Sequence, residues 1–302
     1  MSSKKNEERM TERNNLERTA PPPPQPIPEN SPQMPQVPMQ GQGAAMEFSV
    51  PTEFVELPSG GKFYPQGHPL HGKKTLELKF MTAKEEDILA STSLIKKGVV
   101  FDRLLQSLIM EPINPDDLLT GDRNALLIAA RMTGYGNDYK TAVSCPSCRN
   151  KSKFNFDLSK AKITNSIDQE MRDLADVQET DNGTFIINIE SMNAQIEVRP
   201  LCGRDEKKLN SIASAKNRNN LQESAVTDGL KSYIVSVNGN QTPGYINQFV
   251  DALPARESRK IRIIYKNIVP KVSIQSFYSC AKCGHEQELE VPLNIDFFWP
   301  DE

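Results

Sequence analysis

The residues with the most chemistry to offer in this 302-residue chain are its five cysteines. Four of them form two pairs of identical spacing, Cys145 and Cys148 in VSCPSCRNKSKFNFDL and Cys280 and Cys283 in FYSCAKCGHEQELEVPL. A C-x-x-C pair offers two thiolates from one tight turn, which is half of a tetrahedral zinc site. One such pair is ambiguous, because redox dithiols share the spacing. Here the two segments match beyond the cysteines. An apolar residue, Val143 or Tyr278, stands two places before each pair. After the second cysteine, apolar residues fall at the same alternate offsets, as Phe154, Phe156 and Leu158 and as Leu289, Val291 and Leu293. Period two marks a strand with one buried face. Each segment therefore reads as strand, knuckle, strand, and the pair as the two halves of a zinc ribbon. The expectation is one structural zinc per chain, held by Cys145, Cys148, Cys280 and Cys283. Independent redox pairs and a disulfide-stapled site are the competing readings. His285 could replace a thiolate, but four cysteines already complete a tetrahedron. Cys202 has no such partner and reads as a packing residue or a spare thiol.

A site closed by four thiolates has no open coordination position, so its zinc cannot act as a Lewis acid. No other constellation points to an enzyme. The three histidines form no metalloprotease motif, and neither a nucleophile elbow nor a dinucleotide fingerprint occurs. Ser59-Gly60-Gly61-Lys62 lacks the Walker spacing and reads as a turn. Pro69 disfavours a helix that would put His68 and His71 on one face. The formal net charge of -3 points to neither nucleic acid nor a membrane surface, and no small-molecule substrate is indicated. No apolar run approaches the ~20 residues of a membrane span, and the N-terminus lacks a signal peptide's apolar core. A reducing cytoplasm is expected, where cysteines serve as metal ligands or free thiols.

The elements that must position the cysteines divide the chain. Residues 1–46 hold no aromatic residue and nine of the 22 prolines. They read as a disordered Pro-rich arm, either a solvated extension or a tether that docks on a partner. Residues 47–142 read as a turn-rich and helical N-terminal domain. One helix starts at a Thr82/Glu85 capping box and stops at Gly98. A second carries Phe101, Leu104, Leu105 and Leu108. A third, through Leu126, Leu127, Ile128 and Ala130, is apolar nearly all round and reads as the central core helix. Residues 143–160 and 271–302 are the two ribbon halves. The insertion 161–270 reads as mainly helical, with an acidic helix near Asp168 to Glu179 and a hairpin pairing Phe185, Ile187 and Ile189 with Ile196 and Val198. Helices follow near Arg204 to Lys216, Gln222 to Val235, Tyr245 to Leu253, and through Ile261, Ile264, Tyr265 and Ile268. The fold class is α+β, a mainly helical domain joined to a split four-cysteine zinc ribbon. The closing aromatics Phe297, Phe298 and Trp299 either fold back beside the ribbon or anchor another subunit.

LPSGGKFYPQGHPL, MTAKEEDILASTSLIKKG, GDRNALLIAARMTGYGNDYKTAVSCPSC and the closing DFFWP resemble the baseplate hub proteins of T4-like contractile-tailed bacteriophages. The resemblance covers roughly residues 47–160 and 271–302. It implies a non-enzymatic structural or assembly component of a phage tail baseplate hub, with other baseplate or hub subunits as partners. It implies a location in the host bacterial cytoplasm during assembly, and in the virion tail baseplate where the subunit is retained. The rival class is a nucleic-acid-binding zinc ribbon, which needs a basic face with exposed aromatics. Arg149, Lys151 and Lys153 flank the first knuckle, but Glu286, Glu288 and Glu290 flank the second and oppose that reading.

Overall fold

The computed structural model describes residues 49–165 and 177–299. The arm 1–46 and the greater part of the expected acidic helix lie outside these residues. The fold is α+β, with every strand pairing antiparallel. Strand β1 (Thr52–Glu56) pairs with β2 (Thr75–Lys79) in a two-stranded ribbon. The Gly-rich loop between them folds back on itself through turn hydrogen bonds such as Gly60 N–H to Leu57 O and Lys73 N–H to Leu70 O.

The first expected helix is two. Helix α1 (Ala83–Ala90) and α2 (Thr92–Lys97) are separated at Ser91, whose backbone is extended. The stretch Ser91-Thr92-Ser93 explains the break, because hydroxyl side chains compete for backbone hydrogen bonds and β-branching lowers helix propensity. Gly98, in the left-handed region, ends α2 as expected. The apolar stripe of α3 (Val100–Leu108) faces inward through Leu104, Leu105 and Leu108. Helix α4 (Thr120–Tyr135) is the central core helix, with Ala125, Leu126, Leu127, Ile128 and Ala130 all buried. Gly136 ends it and turns the chain into β3 (Asp138–Ser144), which pairs with β4 (Lys151–Asp157).

The insertion holds more sheet than its sequence suggests. After β5 (Lys162–Thr164), Val177–Glu179 form β6, not the end of a helix. Strands β7 (Phe185–Ile189) and β8 (Ala194–Val198) make the expected hairpin, in the register Phe185↔Val198 and Ile187↔Ile196. Helix α5 (Gly203–Arg218) follows, then α6 (Ala225–Tyr233). The stretch expected to stay helical to Val235 switches at Ile234 into β9 (Ile234–Val237), which completes a sheet of order β6-β7-β8-β9. Three- and four-residue strands leave no periodic trace, so β6 and β9 are recognisable only through the partners that pair with them. Helices α7 (Pro243–Asp251) and α8 (Ala255–Ile268) occur where periodicity places them.

Strand β10 (Lys271–Ser273) returns to pair with β5, joining the chain just after the first cysteine hairpin to the chain just before the second. That second hairpin is β11 (Gln275–Ser279) with β12 (Glu286–Glu290). The return is held close to α4. A Cβ on Gly121 would lie 2.1 Å from the Pro270 carbonyl oxygen, so only glycine permits this approach. One contiguous core runs from Leu57 through α3, α4 and the four-stranded sheet to Phe297 and Phe298.

Candidate metal centre

The two C-x-x-C knuckles are built alike. In the first, Arg149 N–H donates to Cys145 O (2.9 Å) and Cys145 N–H donates to Asn150 O (2.9 Å). In the second, Gly284 N–H donates to Cys280 O (2.8 Å) and Cys280 N–H donates to His285 O (2.9 Å). The fourth residue after the leading cysteine is left-handed in both, Arg149 at φ 57° and Gly284 at φ 68°. Strand registers also correspond, Ser144↔Lys151 in one hairpin and Ser279↔Glu286 in the other. The turn geometry and the flanking strands thus repeat residue for residue.

The hairpins meet through their inner faces. Phe154 of β4 packs edge-on against Tyr278 of β11 at 5.8 Å, and the Tyr278 hydroxyl lies 2.9 Å from Ser152 Oγ. Val143, Phe154 and Leu289 surround Cys145, Tyr278 and Cys280 in a small second core. This packing brings all four sulfurs within 4.8 Å of one another. The closest approaches cross between the knuckles, Cys145 Sγ to Cys283 Sγ and Cys148 Sγ to Cys280 Sγ, both 3.6 Å. A disulfide needs about 2.05 Å. Four thiolates about 2.3 Å from a central tetrahedral ion sit about 3.8 Å apart, close to the spacing here. Cys145 and Cys280 are buried, Cys148 is half-buried and Cys283 is exposed, so the cluster opens to solvent on one side.

Backbone amides tune the sulfurs. The N–H groups of Cys283 and Lys282 favour the thiolate of Cys280 and hold it down to about 6. At Cys148 the Asn150 N–H acts in the same sense, but the Cys283 thiol, desolvation and the thiols of Cys280 and Cys145 together outweigh it and push the group up to about 11. One sulfur ionises readily, and further charge in so small a space is resisted. A soft, tetrahedral, thiolate-binding cation relieves that repulsion.

The other sequence candidates fall elsewhere. His68 and His71 serve their own loop: His68 Nδ1 accepts from Leu70 N–H at 3.1 Å, and His71 Nδ1 lies 2.7 Å from Tyr64 O. Cys202 caps α5, its thiol 3.3 Å from Asp205 Oδ2. Phe297 and Phe298 are fully buried, Phe297 edge-on to Tyr139 of β3 at 5.2 Å and Phe298 tilted against Phe101 of α3 at 5.6 Å. Trp299 is 41% exposed.

Of the buried charges that escaped sequence reasoning, two tie distant segments to α4 by hydrogen bonds. Arg131, on α4, donates from Nε to Phe297 O (2.9 Å), from Nη1 to Gly136 O (3.1 Å) and from Nη2 to Asp138 O (3.3 Å). It joins the chain's end to the root of the first hairpin. Asp122, in the first turn of α4, accepts from Ser59 N–H (2.8 Å), Ser59 Oγ (2.6 Å) and the Tyr64 hydroxyl (2.7 Å). It pins the SGG turn to the core helix. A charged residue inside an apolar helix was the available signal for both.

Fold and site together define a class: an α+β protein in which two distant knuckles converge on one four-sulfur cluster. A model of the T4 bacteriophage base plate protein family matches residues 50–299, most of the 302-residue chain. The chain belongs to that family and is a structural phage baseplate component. No curated protein and no solved structure matches it. Among the described residues, no helix is long and apolar enough to cross a membrane.

Proposed function

We propose that this chain is a non-enzymatic structural or assembly subunit of the baseplate hub of a contractile phage tail, folded around one structural zinc. The observation that carries the reading is the convergence of Cys145, Cys148, Cys280 and Cys283 within 4.8 Å, in a chain that matches the baseplate family over 250 residues. Zinc fits a four-thiolate set better than harder cations, which take oxygen ligands. Closed coordination gives the ion a holding role: it fastens the middle of the chain to its end. Phe297 and Phe298 give Trp299 a fixed base, and its part-exposed ring is the face offered to a neighbouring hub subunit. The protein works in the host cytoplasm during assembly and in the tail baseplate of the virion where it is retained.

Two measurements test this reading separately. Metal analysis of purified protein is expected to find one zinc per chain, and stoichiometric loss of zinc on chelation should lower the melting temperature. Full stability without metal would overturn the zinc assignment. Infection by phage lacking this gene product is expected to yield particles without hubs or tails, and normal hubs would overturn the assembly assignment.

A further inference from the structure

The two cysteine hairpins match in fold and register but are opposite in charge. Lys151 and Lys153 stand six and eight residues after Cys145, and Glu286 and Glu288 stand six and eight residues after Cys280. All four are exposed on the outer faces of their hairpins. None takes part in an ion pair among the described residues, whereas the next glutamate, Glu290, lies 3.5 Å from Lys266. Lys140, exposed on β3, adds to the basic face. The same correspondence sets Phe277 against Ala142, each three residues before its leading cysteine. Phe277 is 63% exposed at the middle of the acidic face, opposite Glu288 in the ladder. Ala142, small and exposed, stands at the middle of the basic face, opposite Lys153.

From this inverted correspondence we infer that the ribbon's two outer faces bind each other between copies of this chain, head to tail. A two-fold contact through one face alone would set glutamates on glutamates or lysines on lysines. Because the hairpins pack inner face to inner face, the two outer faces point away from each other, and one partner cannot reciprocate on both. The head-to-tail contact sets the lysine pair on the glutamate pair and seats the Phe277 ring over Ala142. Contacts of this heterologous kind propagate into rings or filaments. Each face is two strands wide and five residues long, roughly 17 Å by 10 Å. That is far below the ~800 Å² per partner of a stable interface. The single contact is therefore weak and salt-sensitive, and it is populated where copies are concentrated. The inference rests on the ribbon faces and holds whichever ion the sulfurs carry.

The test is analytical ultracentrifugation of the full chain across a concentration series. At low ionic strength, self-association is expected; in about 1 M salt, where the screening length is about 3 Å, it should weaken on the order of tenfold or more. Lys151→Glu with Lys153→Glu makes both faces acidic, and Glu286→Lys with Glu288→Lys makes both basic. Each double variant alone should stay monomeric, and an equimolar mixture should associate again. Phe277→Ala should weaken association without altering its salt dependence. Retained metal content and melting temperature show that the variants are folded. Should a charge reversal disturb folding, Lys151→Gln with Lys153→Gln removes the basic pair more gently and should still weaken association. A wild-type chain that stays monomeric at low salt overturns the inference, as does association indifferent to both reversals or a mixture that remains monomeric. Salt-sensitive binding of duplex DNA, lost in the lysine variant without any self-association, would instead assign the basic face to nucleic acid.

Discussion

At the scale of single residues, the paired knuckles contain an internal control. Arg149 and Gly284 occupy the same left-handed position, which costs a residue with a Cβ about 1–2 kcal/mol and glycine almost nothing. Arg149→Gly should therefore raise stability by about 0.5–1 kcal/mol, part of the relief being offset by the greater freedom of glycine in the unfolded chain. Gly284→Ala should lower stability by about 1 kcal/mol. Thermal melts at equal metal content check both. Arg131 is the opposite case, a side chain whose removal exposes others. Arg131→Met would fill the space and leave three carbonyl oxygens, of Phe297, Gly136 and Asp138, without their donor. At about 1–3 kcal/mol for each buried unpaired group, the loss should be several kcal/mol, reduced where water enters. Hydrogen exchange should show the freed C-terminal segment, residues 295–299, opening before the rest. Unchanged protection there would sink this account of Arg131.

At the scale of elements, Glu85 decides how α1 is held. It occupies the third helical position, where the capping box was expected, and its carboxylate accepts from the Thr82 N–H (3.0 Å) and Thr82 Oγ1 (2.6 Å). It also accepts from Ser107 Oγ on α3 (2.6 Å) and Lys79 Nζ on β2 (2.9 Å). Burial raises this group, but Ser107, Thr82 and Lys79 together outweigh burial and bring it down to about 2 from 4.5. The folded state thus holds the proton less tightly than the unfolded chain. The resulting stability is complete above pH ~4.5 and is lost as pH falls toward ~2, on the order of 3 kcal/mol in all. Glu85→Gln should be less stable at neutral pH by up to that amount and should show a shallower loss of stability on the acid side. Urea titrations at several pH values would measure it; parallel curves for the two proteins would refute the role given to Glu85. Asp122 behaves differently. Burial raises its carboxyl even though Ser59 and Tyr64 donate to it, so its ionisation opposes folding and its value lies in anchoring the loop.

At the scale of the whole molecule, the sulfur cluster and the β5–β10 pair close the same insertion at two points. The 131 residues between Cys148 and Cys280 hang from this double closure. Structural zinc contributes on the order of 10 kcal/mol to small domains that fold only with metal. This chain has a large separate core, so the loss should be partial. Cys145→Ser is expected to abolish stoichiometric metal binding and to lower the melting temperature by roughly 10 °C, as several kcal/mol does in a domain of this size. The four-stranded sheet should survive in circular dichroism. A mutant that keeps its metal, or melts where the parent does, would show that the cluster does not fasten the ends.

The sequence alone determined whatever rests on neighbours in the chain. Alternation marked both cysteine hairpins and the β7–β8 pair, the 3.6-residue stripe marked α3 and α8, and an apolar run marked α4, because each pattern is set by local backbone geometry. The knuckle turns were legible for the same reason, since C-x-x-C and its flanks are one continuous segment. Periodicity says which face of an element is apolar and says nothing of what covers it. That the two knuckles meet was also legible, from their matched registers, but only the tertiary structure decided what packs them together, Phe154 and Ser152 of one hairpin against Tyr278 of the other. It also recruited Val177 and Ile234 to strands, through pairing with β7 and β8. It chose among three consecutive aromatics, burying Phe297 and Phe298 and leaving Trp299 at the surface. It gave the charges of Asp122 and Arg131 their partners, which lie on a distant loop and at the chain's end. Long-range contacts of this kind depend on which surfaces are left to pair once every local element has formed, and that is a property of the assembled fold.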